Sequence, residues 1–338
     1  MNILLFLILI CIVYKIQFAG QEFHTDYMAK EQTTAINGLF VFLIFFSHYS
    51  SYVELGAYDN LMETAVGTLG QLIVVPFLFY SGYGVMHSLK NKENYYVSMP
   101  FKRIFRVWYH FAIAVALFIP VAIFLKKDYS IYEYILAFTG WTSIGNSNWY
   151  VFAILCMYLF TYFGARLFRN NHIKTVITVF AMSAVYILLM KLLHKGSWWY
   201  DTVITYTFGM LFALYGKSVD KVIQKNGAWW GLTVVFSLTL LLMLYFKIPV
   251  MYFSYIFALW IVLVTAKFKI VNGVLVFLGN YTFEIYILQR IPLQIFPTFM
   301  SDRYVIFILS FISTVVLAVF LKKFIDYVDD LIYKNKEC

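Results

Sequence analysis

Apolar runs of about twenty residues, separated by short segments that collect Lys and Arg, fill almost the whole chain. One helix of that length crosses the ~30 Å hydrocarbon layer of a bilayer. The pattern predicts spans near 2–19, 35–54, 66–89, 105–125, 149–168, 174–193, 200–216, 228–246, 250–266, 272–290 and 304–322. Polar residues interrupt the apolar run in 200–216 and 272–290. The expected fold is all-α: a polytopic integral membrane helical bundle of about 10–11 transmembrane helices. The longest segment outside the spans, 126–148, holds Trp141 and ends on the polar run Gly145-Asn146-Ser147-Asn148. No linker, low-complexity tract or internal repeat divides the chain.

Composition supports the same picture. Only 13% of the 338 residues are charged and 62% are hydrophobic, whereas a soluble domain carries roughly 25% charged residues. The aromatic share of 21% suits a chain whose Trp and Tyr gather at membrane interfaces. A net charge of +9 raises the question of nucleic acid. The basic residues are spread over the loops and make no single patch, so no nucleic-acid partner is expected. Nineteen of the 26 Lys and Arg residues fall at one set of helix ends, which are expected to be cytoplasmic. The C-terminus is then inside and the N-terminus outside. The first span reads as an uncleaved helix: Met1-Asn2 brings no basic residue, and Phe18-Ala19-Gly20 is a weak cleavage site. Cleavage would also reverse the charge alternation of every later loop. Cys11, Cys156 and Cys338 form no CxxC and no zinc spacing, and no metal site is expected.

Several polar side chains inside the spans are candidates for chemistry. Asn37 and His48 are eleven residues apart, which is three helical turns plus ~20°, so they share a face ~16 Å apart along the axis. A membrane histidine is costly unless it faces a cavity or a partner. His48 therefore reads either as a packed side chain or as a general base. Arg103, Arg106 and His110 follow i, i+3, i+7 spacing, with Lys102 one turn before Arg106. That stripe either grips phosphates or anchors the helix by snorkelling. His87, near Lys90, reads as interfacial. Ser81-Gly82-Tyr83-Gly84 reads first as close helix packing. Glu284 is the one acidic residue well inside a predicted span; an intramembrane carboxylate is either functional or bonded to a neighbouring helix. Asp201, after Trp198-Trp199-Tyr200, reads as interfacial.

Taken in order, these segments resemble the membrane-bound acyltransferase family 3, whose best-known members O-acylate bacterial surface polysaccharides. The family's first core helix carries Arg-Gly and, eleven residues after the Arg, a His; here it reads Ile36-Asn37-Gly38 through Ser47-His48. Phe79-Tyr80-Ser81-Gly82-Tyr83-Gly84, the basic turn Phe101-Lys102-Arg103-Ile104-Phe105-Arg106, and Asn148-Trp149-Tyr150 are similar to its later signatures. Leu278-Gly279-Asn280 through Ile287-Leu288-Gln289 is comparable to its late motif. Asn37 stands where the family has Arg, and Gln289 where it has His. The resemblance covers about 30–322, leaving residues 1–29 as an extra transmembrane helix and loop before an acyltransferase-like domain at 30–338.

The resemblance implies an O-acyltransferase of the bacterial plasma membrane. Acyl-CoA, most simply acetyl-CoA, enters as co-substrate from the cytoplasm, with no bound cofactor. Its phosphates are held by Lys102, Arg103 and Arg106, with Asn37 on the donor side. His48 acts as general base on a saccharide hydroxyl or carries the acyl group, and Glu284 orients His48 or binds the acceptor. Ser81, Tyr83 and Trp149 are possible acceptor or structural positions. A transporter or flippase for a lipid-linked saccharide is the alternative from another class, and a membrane scaffold is a third.

Overall fold

A computed structural model of the chain describes residues 2–56, 59–169 and 171–334. Cys338 and the side chain of Cys11 lie outside the described residues; Cys156 is a free, partly buried thiol. Every predicted span contains helix, but 2–19 is helical only over Asn2–Val13, twelve residues that at ~1.5 Å each fall short of the ~30 Å hydrocarbon layer, so the expected extra transmembrane helix is a shorter one. Among the described residues, six continuous helical stretches are long and apolar enough to cross a membrane. The molecule is a polytopic all-α membrane bundle.

The chain opens with α1 (Asn2–Val13) and a two-residue strand β1 (Gln17–Phe18), followed by α2 (Lys30–Tyr49). The next span is α3 (Asn60–Leu69), a 3-10 turn (Gly70–Val74) and α4 (Val75–Asn91). Pro76 sits in the first turn of α4, where its missing N–H costs nothing. After α5 (Tyr95–Met99) the backbone widens into a π-helix (Pro100–Phe105) and continues as α6 (Arg106–Phe124). The 126–148 segment holds the short α7 (Ile131–Ala137), started by a capping box between Ser130 and Glu133. Then come α8 (Trp149–Phe168), α9 (His172–Leu192), α10 (Ile204–Ile223), α11 (Asn226–Tyr245), α12 (Ser254–Lys267) and strand β2 (Phe268–Lys269). The polar 272–290 span is broken into α13 (Gly273–Asn280) and α14 (Thr282–Leu288), with α15 (Arg290–Ile295) after it. The last helix, α16 (Arg303–Lys334), has 32 residues. At ~1.5 Å per residue it extends well past the bilayer core.

Contacts between loops confirm the alternating path. At one end of the bundle Lys269 pairs with Asp26 at 2.6 Å, Tyr27 bonds Asp220, and Asn226 Nδ2 donates to the Gln21 carbonyl. At the other end Arg303 pairs with Asp59 at 3.2 Å, and Gln294 donates to the Gly145 carbonyl. These two ends are the basic and less basic sides of the sequence, called inner and outer below.

Two glycine pairs set the tightest helix crossings. A Cβ on Gly38 would overlap the Leu275 carbonyl of α13, and one on Gly279 would overlap the Thr34 carbonyl of α2. Gly82 of α4 and Gly209 of α10 stand in the same relation, each against the other helix's backbone. Without a hydrophobic driving force between helices in lipid, such close approach is a main source of attraction. Much of the apolar surface of α11, including Val235, Leu238, Leu241 and Leu242, stays exposed, as a lipid-facing helix requires.

Candidate active site

Six spans leave a cavity of about 440 Å³ between them, within the usual range for small-ligand sites. Thr33 and Asn37 line it from α2, and Phe77, Tyr80, Ser81 and Gly84 from α4. Arg103 faces it from the π-helix, while Tyr150, Ile154 and Tyr158 form one stripe of α8. Glu284 and Tyr286 reach it from α14 and Lys322 from α16. The chain direction orders these residues by depth. Thr33, Gly84, Arg103 and Lys322 are at the inner end; Val74, Tyr150 and Tyr286 are at the outer end.

The glycine pairs explain this geometry. Gly38–Gly279 contact draws α13 onto α2 beside Asn37, and the helix then breaks at Tyr281 before α14. The break aims both Glu284 and Tyr286 into the cavity. Within Ser81-Gly82-Tyr83-Gly84 the roles divide: Gly82 packs on α10, whereas Gly84 opens on the cavity, and a Cβ there would touch nothing within 4 Å.

Polar atoms around the cavity are incompletely satisfied. The Asn37 Oδ1 and Tyr80 hydroxyl are buried and have no hydrogen-bond partner among the described residues. Such atoms are rare in folded interiors and mark places where water or a ligand completes the bonding. Arg103 Nε donates to the Tyr95 hydroxyl at 2.9 Å. Glu284, 5% exposed, has its Oε1 3.8 Å from Lys322 Nζ. Tyr158 donates to Ser81 Oγ at 3.5 Å.

His48 lies just beyond the outer end. Its ring is 6.4 Å from that of Tyr286, centroid to centroid, and its Nδ1 is buried without a hydrogen-bond partner. Tyr286 in turn packs edge-on against Tyr150 at 5.4 Å. The cavity therefore runs from two cations at the inner surface to an aromatic pair that screens a buried imidazole.

The family model for the acyltransferase domain matches residues 34–323, most of the chain. The protein belongs to acyltransferase family 3. Comparison with curated proteins and with solved structures gave no match. As a member of this family the chain is a membrane acyltransferase, and every residue lining the cavity except Thr33 falls within the family match.

The structure brings only part of the expected family site together. Asn37, Ser81, Arg103 and Glu284 line one cavity, with His48 one side chain away. Lys102 is exposed, and Arg106 turns away to pair with Asp329 on the α16 extension. His110 reaches the same carboxylate, Nε2 to Oδ1 at 3.3 Å. The expected single stripe of Arg103, Arg106 and His110 is thus split. A π-helix turns less per residue than an α-helix, so the i, i+3 rule fails across Phe105. Among the described residues no hydrogen bond or ion pair joins Glu284 to His48; the near charge on Glu284 is Lys322. Tyr83 stacks on His87 at 5.8 Å, and Trp149 packs edge-on against Tyr150 at 6.0 Å, both off the cavity lining.

Sequence reasoning assigned no role to Tyr80, Tyr150, Tyr158, Tyr286, Arg290 or Lys322, although Tyr80 and Tyr150 stand in the family segments. Tyr150 and Tyr158 had a usable signal, eight residues apart with Ile154 between, on one helix face. Lys322 and Arg290 enter the sequence reading only through the count of basic residues at helix ends, which does not distinguish an inward from an outward cation.

Proposed function

We propose that this acyltransferase moves an acyl group, acetyl in the simplest case, from cytosolic acyl-CoA to a hydroxyl of a cell-surface polysaccharide or lipid-linked sugar. The carrying observation is the cavity itself, with cations at its inner end and His48 beyond its outer end. Arg103 and Lys322 hold the phosphate-bearing part of the donor, and the pantetheine arm lies along Tyr80, Ser81 and Tyr158. The thioester reaches Tyr286. His48 takes the proton of the acceptor hydroxyl as its oxygen attacks the acyl carbon. The C–S bond then breaks, and the CoA thiolate recovers that proton from His48. In this reading the inner end is cytoplasmic, as is the C-terminus, and the membrane is the bacterial plasma membrane. Glu284 holds Lys322 in place rather than orienting His48.

The flippase alternative has one structural pointer, the broken α13–α14 segment with its carboxylate. Transport requires no acyl donor, which separates the two readings. The deciding assay is transfer of label from radiolabelled acetyl-CoA into surface glycan, in membranes carrying wild type or a folded His48→Ala variant. Label transferred by wild type and lost in His48→Ala is the expected result. Equal transfer by both removes His48 from the chemistry, and none by wild type favours transport.

A further inference from the structure

We infer that Arg290 is a second catalytic residue of this acyltransferase, its guanidinium holding the oxyanion that forms on the acyl carbonyl beside His48. The inference rests on the base role proposed for His48 and adds the partner that such a base needs.

Arg290 opens α15 four residues after Tyr286, and Gln289 between the two helices is itself in the helical region (φ −55°, ψ −27°), so Tyr286 and Arg290 share one helix face. The His48 ring is 6.4 Å from that of Tyr286, so the shared face carries the guanidinium toward the His48 end of α2, where it acts electrostatically on His48 and bonds Tyr52. Its Nε is buried and has no acceptor among the described residues. Four cations at the bundle ends are neutralised by carboxylates, Arg106 by Asp329, Arg303 by Asp59, Lys269 by Asp26 and Lys322 by Glu284, whereas Arg103 on the cavity has only the Tyr95 hydroxyl. Among the described residues no carboxylate pairs with Arg290. A half-buried guanidinium beside a membrane histidine, with an N–H free, is arranged to meet negative charge that arises during turnover.

The reaction supplies that charge. When the acceptor oxygen bonds to the acyl carbon and its proton passes to His48, the carbonyl π electrons move onto oxygen. The backbone amides of α2 around His48 are tied into helical bonds, so they cannot form an oxyanion hole. Arg290 is the cationic side chain that acts on His48, and its unpartnered Nε–H supplies a donor that these amides lack. As the C–S bond breaks, the carbonyl re-forms and Arg290 is unchanged. In a low-dielectric site a prepositioned cation of this kind is a large contribution to rate.

The test uses the full chain in nanodiscs, with thiol release from acetyl-CoA as readout and water or methyl glucoside as acceptor. Arg290→Gln is expected to lower kcat about 10²–10³-fold, with KM for acetyl-CoA and glucoside nearly unchanged. Arg290→Lys retains part of the rate, and added guanidinium restores part of the rate to Arg290→Ala. The exposed outer Lys247→Gln serves as a charge control and stays at wild-type rate. Wild-type kcat in Arg290→Gln overturns the inference, as does a loss confined to acceptor KM. So does a loss that is equal in Gln and Lys, accompanied by a lowered melting temperature and unmoved by guanidinium. If His48→Ala is as active as wild type, or wild type releases no thiol, the proposed function fails and the inference falls with it. His48-dependent release with full activity in Arg290→Gln sinks the inference alone.

Discussion

Arg103 and Arg106 stand three residues apart and meet different surroundings. Arg103 is held by Tyr95 and faces the cavity; Arg106 is neutralised by Asp329. Only the first is free to hold a donor phosphate, and Lys322 faces it across the cavity. A charge-assisted hydrogen bond contributes roughly 1.5–3 kcal/mol, about ten- to a hundredfold in affinity. Arg103→Gln and Lys322→Gln should therefore raise KM for acyl-CoA by at least about tenfold. Lys102→Gln and Arg106→Gln should change it by less than about threefold. Steady-state kinetics with acetyl-CoA as the varied substrate measures this, and a uniform effect of all four would restore the single basic stripe. This division was not legible in the sequence, because spacing rules assume one helix type and the π-helix at Pro100–Phe105 changes the angle between residues.

At the level of elements, the glycine contacts of α2 with α13 and of α4 with α10 hold the cavity walls. Gly38→Ala or Gly279→Ala must push apart two backbones, a form of overpacking that costs about 1–3 kcal/mol. The melting temperature in detergent should drop by several degrees. Gly84→Ala, with open space at its Cβ, should leave melting unchanged or raise it slightly, since helix interiors favour Ala. Equal melting for Gly38→Ala and Gly84→Ala would deny the close crossing. A second device joins α1 to the core. Buried Lys267 donates to the carbonyls of Gly20 and Glu22 and to Asn226 Oδ1, under the Phe23 ring. Beside it β1 pairs antiparallel with β2. Lys267→Met leaves those acceptors without their donor, at about 1–3 kcal/mol for each one that stays buried. Limited proteolysis should then cut between residues 17 and 29 far faster than in wild type. An unchanged cleavage rate would show that the strand pair suffices. The sequence marked residues 1–29 as an addition to the domain, yet gave no sign of this strap, since its bonds join segments more than 240 residues apart.

For the whole molecule, the alternation of loops between two ends makes a topological prediction. In a variant lacking Cys11, Cys156 and Cys338, Tyr132→Cys should react with an impermeant thiol reagent on intact cells. Lys221→Cys should react only after permeabilisation. Both side chains are exposed, at opposite ends of the bundle. The reverse pattern would invert the orientation and move the proposed donor site outside.

The amino-acid sequence alone determined the solvent, the approximate positions of the spans, and the segments that carry the family motifs. Each of these depends on local properties: run length, charge between runs, and residue order. Tertiary structure decided which side chains meet. It placed Asn37, Ser81, Arg103 and Glu284 around one cavity, set His48 behind Tyr286, and gave Arg106 to Asp329. These contacts depend on how helices distant in sequence rotate against each other. In lipid that rotation is fixed by small-residue contacts and by local breaks such as the π-helix and Tyr281, and periodicity within one span carries no record of them.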